Sequence, residues 1–140
     1  MSNDQWQTLI SGVELAVTVF GFSFVVYQIR QTNKAIRSTT HSALYAQLHD
    51  VSKIFLENHG LRTYFYEGTP IDPSHEHYLR ALVIAEALAD FFEHVHLQRE
   101  NLPQAIWPYW VNYMNGMKNT SPLLKSYLDS KGQWYGGVLS

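Results

Sequence analysis

The 140-residue chain contains no cysteine. Disulfide scaffolds, thiolate zinc sites and thiol catalysis are therefore excluded, although the redox compartment stays open. Charge is also scarce. Asp, Glu, Lys and Arg make up 16% of the residues, and 12 acids against 10 bases give a formal net charge of −2. A general nucleic-acid binder carries a basic excess, so no DNA partner is expected. No G-x-S-x-G elbow, Walker-type loop or G-x-G-x-x-G turn occurs. Proline and glycine are missing from the whole of residues 22–59. No internal repeat, low-complexity tract or strand-type alternation is present.

Apolar residues are plentiful, at 46%, with aromatics at 14%, a composition that excludes disorder. The length fits one domain with at most an appendage. The apolar residues concentrate in Leu9–Tyr27, LISGVELAVTVFGFSFVVY, whose one charge is Glu14. Its mean hydropathy is roughly 1.9, in the range of spanning helices, and its length as a helix is about 28 Å, close to the hydrocarbon thickness of a bilayer. Trp6 and Tyr27 bracket it, as interfacial rings do. A signal peptide does not fit, because MSNDQW carries no basic side chain and no A-x-A site follows. A buried core helix is the competing reading, and apolar character all round the helix argues against it. Residues 1–29 are read as a transmembrane anchor and residues 30–140 as a cytoplasmic helical domain.

Arg30, Lys34 and Arg37 follow the span, with no acid before Asp50, whereas only Asp4 precedes it. This asymmetry puts the N-terminus outside and the domain in the cytoplasm. The same three cations are candidates for contact with lipid head groups. A charge near the centre of a span costs about 2.5–3.5 kcal/mol, so Glu14 must be protonated or find polar partners. Ser11, Glu14, Thr18, Gly21, Val25 and Gln28 fall on one heptad stripe that gathers small and polar residues, with Thr32, Ala35 and Thr39 continuing its phase. Gly12-x-x-x-Ala16 marks a second face. Such faces are where membrane helices pack. Ser11, Glu14, Thr18, Gly21 and Gln28 are therefore candidates for a helix–helix seam in a homo-oligomer, against the plainer reading of a lone anchor.

Beyond the span, helices are predicted at about 30–59, 73–101, 103–119 and 122–131. Leu44, Leu48, Val51 and Phe55 form an apolar stripe, and Gly60 is the expected C-cap. LRTYFYE is a short aromatic helix or turn and GTPIDPS a loop, with Asp72 and Pro73 expected to start the next helix. That helix shows an apolar band at Leu79, Leu82, Val83, Ala85, Glu86, Leu88, Ala89, Phe92, Val95 and His96. Pro103 opens the helix holding Ile106, Trp107, Trp110, Tyr113, Met114 and Met117, and Pro108 should distort only its first turn. Ser121-Pro122 starts the last helix, Gly132 ends it, and QWYGGVLS is read as a tail made flexible by Gly136 and Gly137. The fold class is all-α: an N-terminal transmembrane or stalk helix continuing into a small antiparallel helical bundle.

Glu86, Asp90, Glu93, His94 and His96 are the best local set for a metal, with Glu93-x-x-His96 at di-iron spacing. The motif occurs once where such sites need it twice, so no metal and no cofactor is expected. With no nucleophile–base pair in view, an enzyme is not expected either. Trp107, Tyr109, Trp110, Tyr113, Trp134 and Tyr135 are read chiefly as core. The other reading is a stacking platform for a nucleotide, served by Arg80, Arg99, Lys118 or Lys125, with Trp107, Trp110, Arg80 and Arg99 as its leading ligand-binding candidates.

The run FVVYQIRQTNKAIR supplies Gln28, Arg30, Gln31, Ala35 and Arg37, and a later run supplies Phe92, Glu93, Gln98, Trp107, Trp110, Trp134 and Tyr135. In this order they resemble a widespread bacterial family with one N-terminal membrane helix and a helical cytoplasmic domain of unknown function. The resemblance covers most of the chain, departs at YGGVLS, and implies a fold and an inner-membrane location but no catalytic residues. The expected function is a self-associating single-pass membrane protein whose helical domain binds a protein or small ligand without catalysis. The alternative is a membrane effector of bacterial antiviral defence, gated by a signal nucleotide and acting by pore formation or membrane disruption.

Overall fold

The structure, a computed structural model, describes residues 3–139. The outermost ends of the expected segments, at Met1, Ser2 and Ser140, lie outside the described residues. Six α-helices follow one another: α1 Asn3–Glu57, α2 Thr63–Tyr66, α3 Tyr78–Leu97, α4 Trp107–Thr120, α5 Pro122–Ser130 and α6 Gly136–Leu139. Among the described residues there is no strand. The chain divides into two compact units between Ile36 and Arg37.

The first unit is the N-terminal part of α1. Its best window has a mean hydropathy of 2.0 and none of it is buried, so this helix is long and apolar enough to cross a membrane. Phe20 and Phe22 are 77% and 70% exposed. Ser11, Glu14, Thr18, Gly21 and Gln28 are exposed too. The Thr18 hydroxyl donates to the Glu14 carbonyl at 2.8 Å and Ser23 to Val19 at 2.8 Å. Such back-bonding places a hydroxyl in an apolar helix without leaving its proton unpaired.

The second unit has a hydrophobic core. Leu44, Val51 and Phe55 of α1 enter it, with Leu48 half-buried, so the predicted stripe is the buried one. Phe55 meets Phe65 and Tyr66 of α2 edge-on at 5.3 and 5.4 Å between ring centres. α3 packs on α5 and α6, and α5 also touches α2 and α4. The α3 band shifts from the predicted one. Leu79 and Val83 are 74% and 64% exposed, whereas Ala81, Ile84 and Phe91 are buried. Alanines at positions 81, 85 and 89 give α3 a face flat enough for close helix packing. Hydrophobicity alone favours the larger Leu79 and Val83.

Helix ends also differ from expectation. α1 stops at Glu57, and Gly60 lies in a tight turn, His59–Leu61, with an ordinary negative φ. The Asn58 side-chain amide donates to the Ile54 carbonyl at 2.9 Å and helps close the helix instead. The glycine that needs left-handed backbone is Gly68, at φ 72°; a Cβ there would also stand 3.1 Å from the Thr120 carbonyl. Asp72 folds a local turn, accepting from the Ser74 amide and hydroxyl at 2.8 and 2.6 Å, and α3 begins only at Tyr78. Those bonds hold the Asp72 carboxyl below its ordinary pKa. Ser121 is as predicted: it accepts from the Leu124 amide at 3.1 Å and caps α5. Fully buried, it also donates to the Tyr64 carbonyl at 2.7 Å, tying α2 to the α4–α5 corner.

The expected flexible tail is instead seated on the bundle. Tyr135 is buried and its hydroxyl donates to the Asp90 carboxylate on α3 at 2.6 Å. Burial, then the negative carboxylate, pushes the Tyr135 phenol well above its ordinary pKa. Gly136–Leu139 forms α6 against α3. At Gly137 the backbone comes so close to His96 that a Cβ would lie 2.6 Å from the imidazole Cδ2. Here glycine serves close approach, not mobility.

Candidate cleft on the helical domain

α3 ends at Leu97, and Arg99 follows in a tight turn, Arg99–Asn101. The Asn101 amide donates to the Gln98 side chain at 3.0 Å across this turn, and the buried Leu102 anchors its far side. The chain then enters α4 at Trp107, with Pro108 in the first turn where its missing N–H costs nothing. This corner brings two rings and a cation together. The Arg99 guanidinium lies over the Trp107 ring at 5.2 Å, and the His96 ring meets Trp107 edge-on at 6.1 Å.

Along α4, positions 107, 111, 114, 115 and 118 share one face. With His96, Arg99, Gly137 and Val138 they line a cleft of about 270 Å³. Val111, Met114 and Val138 are its apolar lining, and Asn115 and Lys118 add an amide and an ammonium. No hydroxyl or carboxylate side chain is among the lining residues. A neighbouring depression of about 460 Å³ shares Arg99 and Trp107 and adds Arg37, Glu100, Leu102 and Gln104. Arg37, Arg99 and Lys118 thus gather around Trp107 in a chain of net charge −2. Among the described residues the ion pairs are Lys53–Asp50 and His77–Glu76, so none of these three cations is in an ion pair, while Glu100 shares the depression with Arg37 and Arg99.

The predicted ligand-binding residues separate. Trp107 and Arg99 come together as expected. Trp110 does not join them: it is 4% exposed, with its ring against Tyr45 at 5.4 Å and Phe91 at 5.8 Å. Its Nε1 is the buried side-chain polar atom without a hydrogen-bond partner among the described residues. Arg80 lies elsewhere, in a depression of about 260 Å³ with Glu57, Asn58, His59, Gly60, Leu61 and His77. Trp110 belongs to the core because position 110 continues to Met114 and Met117 on the buried face. Arg80 faces the start of α3, away from Trp107 near its end. Of the other aromatics weighed for a platform, Trp134 is exposed with Lys131 over its ring at 5.6 Å.

Of the cleft's lining, the sequence reading missed Val111, Met114, Asn115, Gly137 and Val138, and weighed His96 only for a metal. The α4 spacing from Trp107 to Lys118 is a signal for that face, whereas nothing local shows that Gly137 docks on His96. Arg30 and Lys34 are exposed on α1, and Arg37 lines the depression beside Trp107. Among the described residues no three His, Asp or Glu side chains are grouped to hold a metal ion. Asp90 is instead the acceptor for Tyr135.

An imidazole, two cations and an amide over an apolar lining can bind an anion. With no hydroxyl or carboxylate beside the imidazole, the cleft has no nucleophile–base pair. No family model matches the chain, and neither a curated protein nor a solved structure matches it.

Proposed function

We propose that the protein is a single-pass inner-membrane protein of bacteria, self-associating through its span, whose cytoplasmic helical domain is a non-catalytic ligand-binding module. The observation that supports this most is the apolar window of the N-terminal helix, of mean hydropathy 2.0 with nothing buried, in a chain whose helical domain keeps a core of its own. An apolar surface of that extent finds a solvent only in a bilayer or in other chains. Arg30, Lys34 and Arg37 after the span set the C-terminal side inward. Full-length protein should sediment with the inner membrane and resist carbonate extraction, and a chain lacking residues 1–28 should be released as soluble helical protein. A reporter fused after Ser140 that behaves as periplasmic refutes the orientation.

Glu14 supports a second reading, the defence effector, since a plain anchor gains nothing from a carboxyl in its span. Ion leakage from cells expressing the wild type, absent with Glu14→Leu, would favour that reading.

A further inference from the structure

We propose that the cleft formed by His96, Arg99, Trp107 and Lys118 binds the phosphate group of a small phosphate monoester, with Val111, Met114 and Val138 receiving the apolar part of that ligand. This inference rests on reading the helical domain as a binding module and names what the module takes. Arg99 is held by the face of Trp107 and not by a carboxylate, so its guanidinium is positioned while its N–H edges remain open to an oxyanion. Lys118 lines the same cleft, half-buried and without an ion-pair partner among the described residues. His96 adds an N–H donor and Asn115 an amide. An anion there would face no lining carboxylate, in a chain whose charge is otherwise negative. The volume of about 270 Å³ falls just below the usual range of small-molecule sites, about 300–1,000 Å³, which suits a small phosphate ester. Arg37 lines the adjoining depression, which shares Arg99 and Trp107 and also holds Glu100.

Two sources share this chemistry, a soluble nucleoside monophosphate and the head group of a phosphatidic-acid-type lipid. Full-length protein in phosphatidylcholine nanodiscs is titrated by calorimetry with AMP, and separately with short-chain phosphatidic acid. Binding of either probe with a Kd below about 1 mM is expected, and which one binds identifies the source. Arg99→Gln and Lys118→Gln should each weaken it about tenfold or more, because each removes a charge-assisted contact. Lys53→Gln, exposed on α1 and outside both depressions, should leave it unchanged. Circular dichroism and melting of the same nanodisc samples show that the variants are folded. Absence of binding by both probes, or binding that Arg99→Gln and Lys118→Gln leave intact in folded protein, overturns the proposal. The membrane fractionation above tests the parent reading separately: a chain that binds AMP but does not sediment with membranes sinks the anchor and leaves the cleft standing.

Discussion

At the scale of single residues, two side chains tie separate elements together by hydrogen bonds. Ser121 is fully buried, and its one hydroxyl accepts from Leu124 while donating to Tyr64. Ser121→Ala leaves the α5 cap unmade and the half-buried Tyr64 carbonyl without its donor, so a loss of about 1–2 kcal/mol is expected. Thermal unfolding followed by circular dichroism measures it, and a variant as stable as wild type would show that water takes over both bonds. Tyr135 is the second. Its folded pKa is raised, so the neutral phenol stabilises the fold fully below the ordinary tyrosine value of about 10. That contribution drains away as pH rises beyond it, because the unfolded chain then sheds the proton first. Tyr113 behaves alike, raised by burial and then by its 3.4 Å bond with Tyr66. The melting temperature should therefore drop steeply above pH 10, and Tyr135→Phe should make the drop shallower while lowering stability at neutral pH. An unchanged alkaline slope in Tyr135→Phe would contradict the assigned burial.

At the scale of elements, the seam proposed for α1 gains a donor inventory. The Thr18 hydroxyl gives its proton to the Glu14 carbonyl of its own helix. Its oxygen can then only accept across a seam, where the Ser11 hydroxyl, the Glu14 carboxyl and the Gln28 amide are the other polar groups. Hydrogen bonds between membrane helices contribute about 0.6–2 kcal/mol each, and a symmetric oligomer repeats them at every interface. Glu14→Leu should remain in the membrane but form smaller species in mild detergent, whereas Glu14→Gln keeps a donor and should keep the oligomer. Equal sizes for Glu14→Leu and wild type on native mass spectrometry would reduce the helix to a plain anchor.

Over the whole molecule, what was legible in the sequence is what rests on repetition. The apolar run of α1, the stripe Leu44–Val51–Phe55 and the capping serine before Pro122 all declare themselves within a few turns. Single long-range encounters did not. Gly136-Gly137 reads locally as slack, yet Gly137 lies close against the His96 ring. Trp107 and Trp110 look alike in sequence; three residues apart on α4, one borders the cleft and the other is core. Arg80 and Arg99 are both cations on or beside α3, but nearly its whole length separates them. On α3 the predicted Ala85, Leu88, Ala89, Phe92 and Val95 are buried, whereas the large Leu79 and Val83 are exposed and Ala81, Ile84 and Phe91 pack in their place.

The stretch from Glu67 to His77 contains no helix and is mostly exposed, with its shape fixed by Gly68 and the Asp72 turn. On one side of it the chain contributes Leu44, Val51, Phe55, Leu61 and Phe65 to the core, and on the other α3 to α6 contribute the rest. Covalent continuity through this stretch is therefore dispensable to the finished domain, and the two halves should behave as complementing fragments. A glutamate-specific protease should cut first after Glu67 or Glu76. The two pieces should then separate on a denaturing gel yet elute together from a sizing column, with the cut chain melting earlier because its halves no longer share one effective concentration. Pieces that part under native conditions would show that the α1–α2 half is held to the bundle by its tether and not by its buried surface.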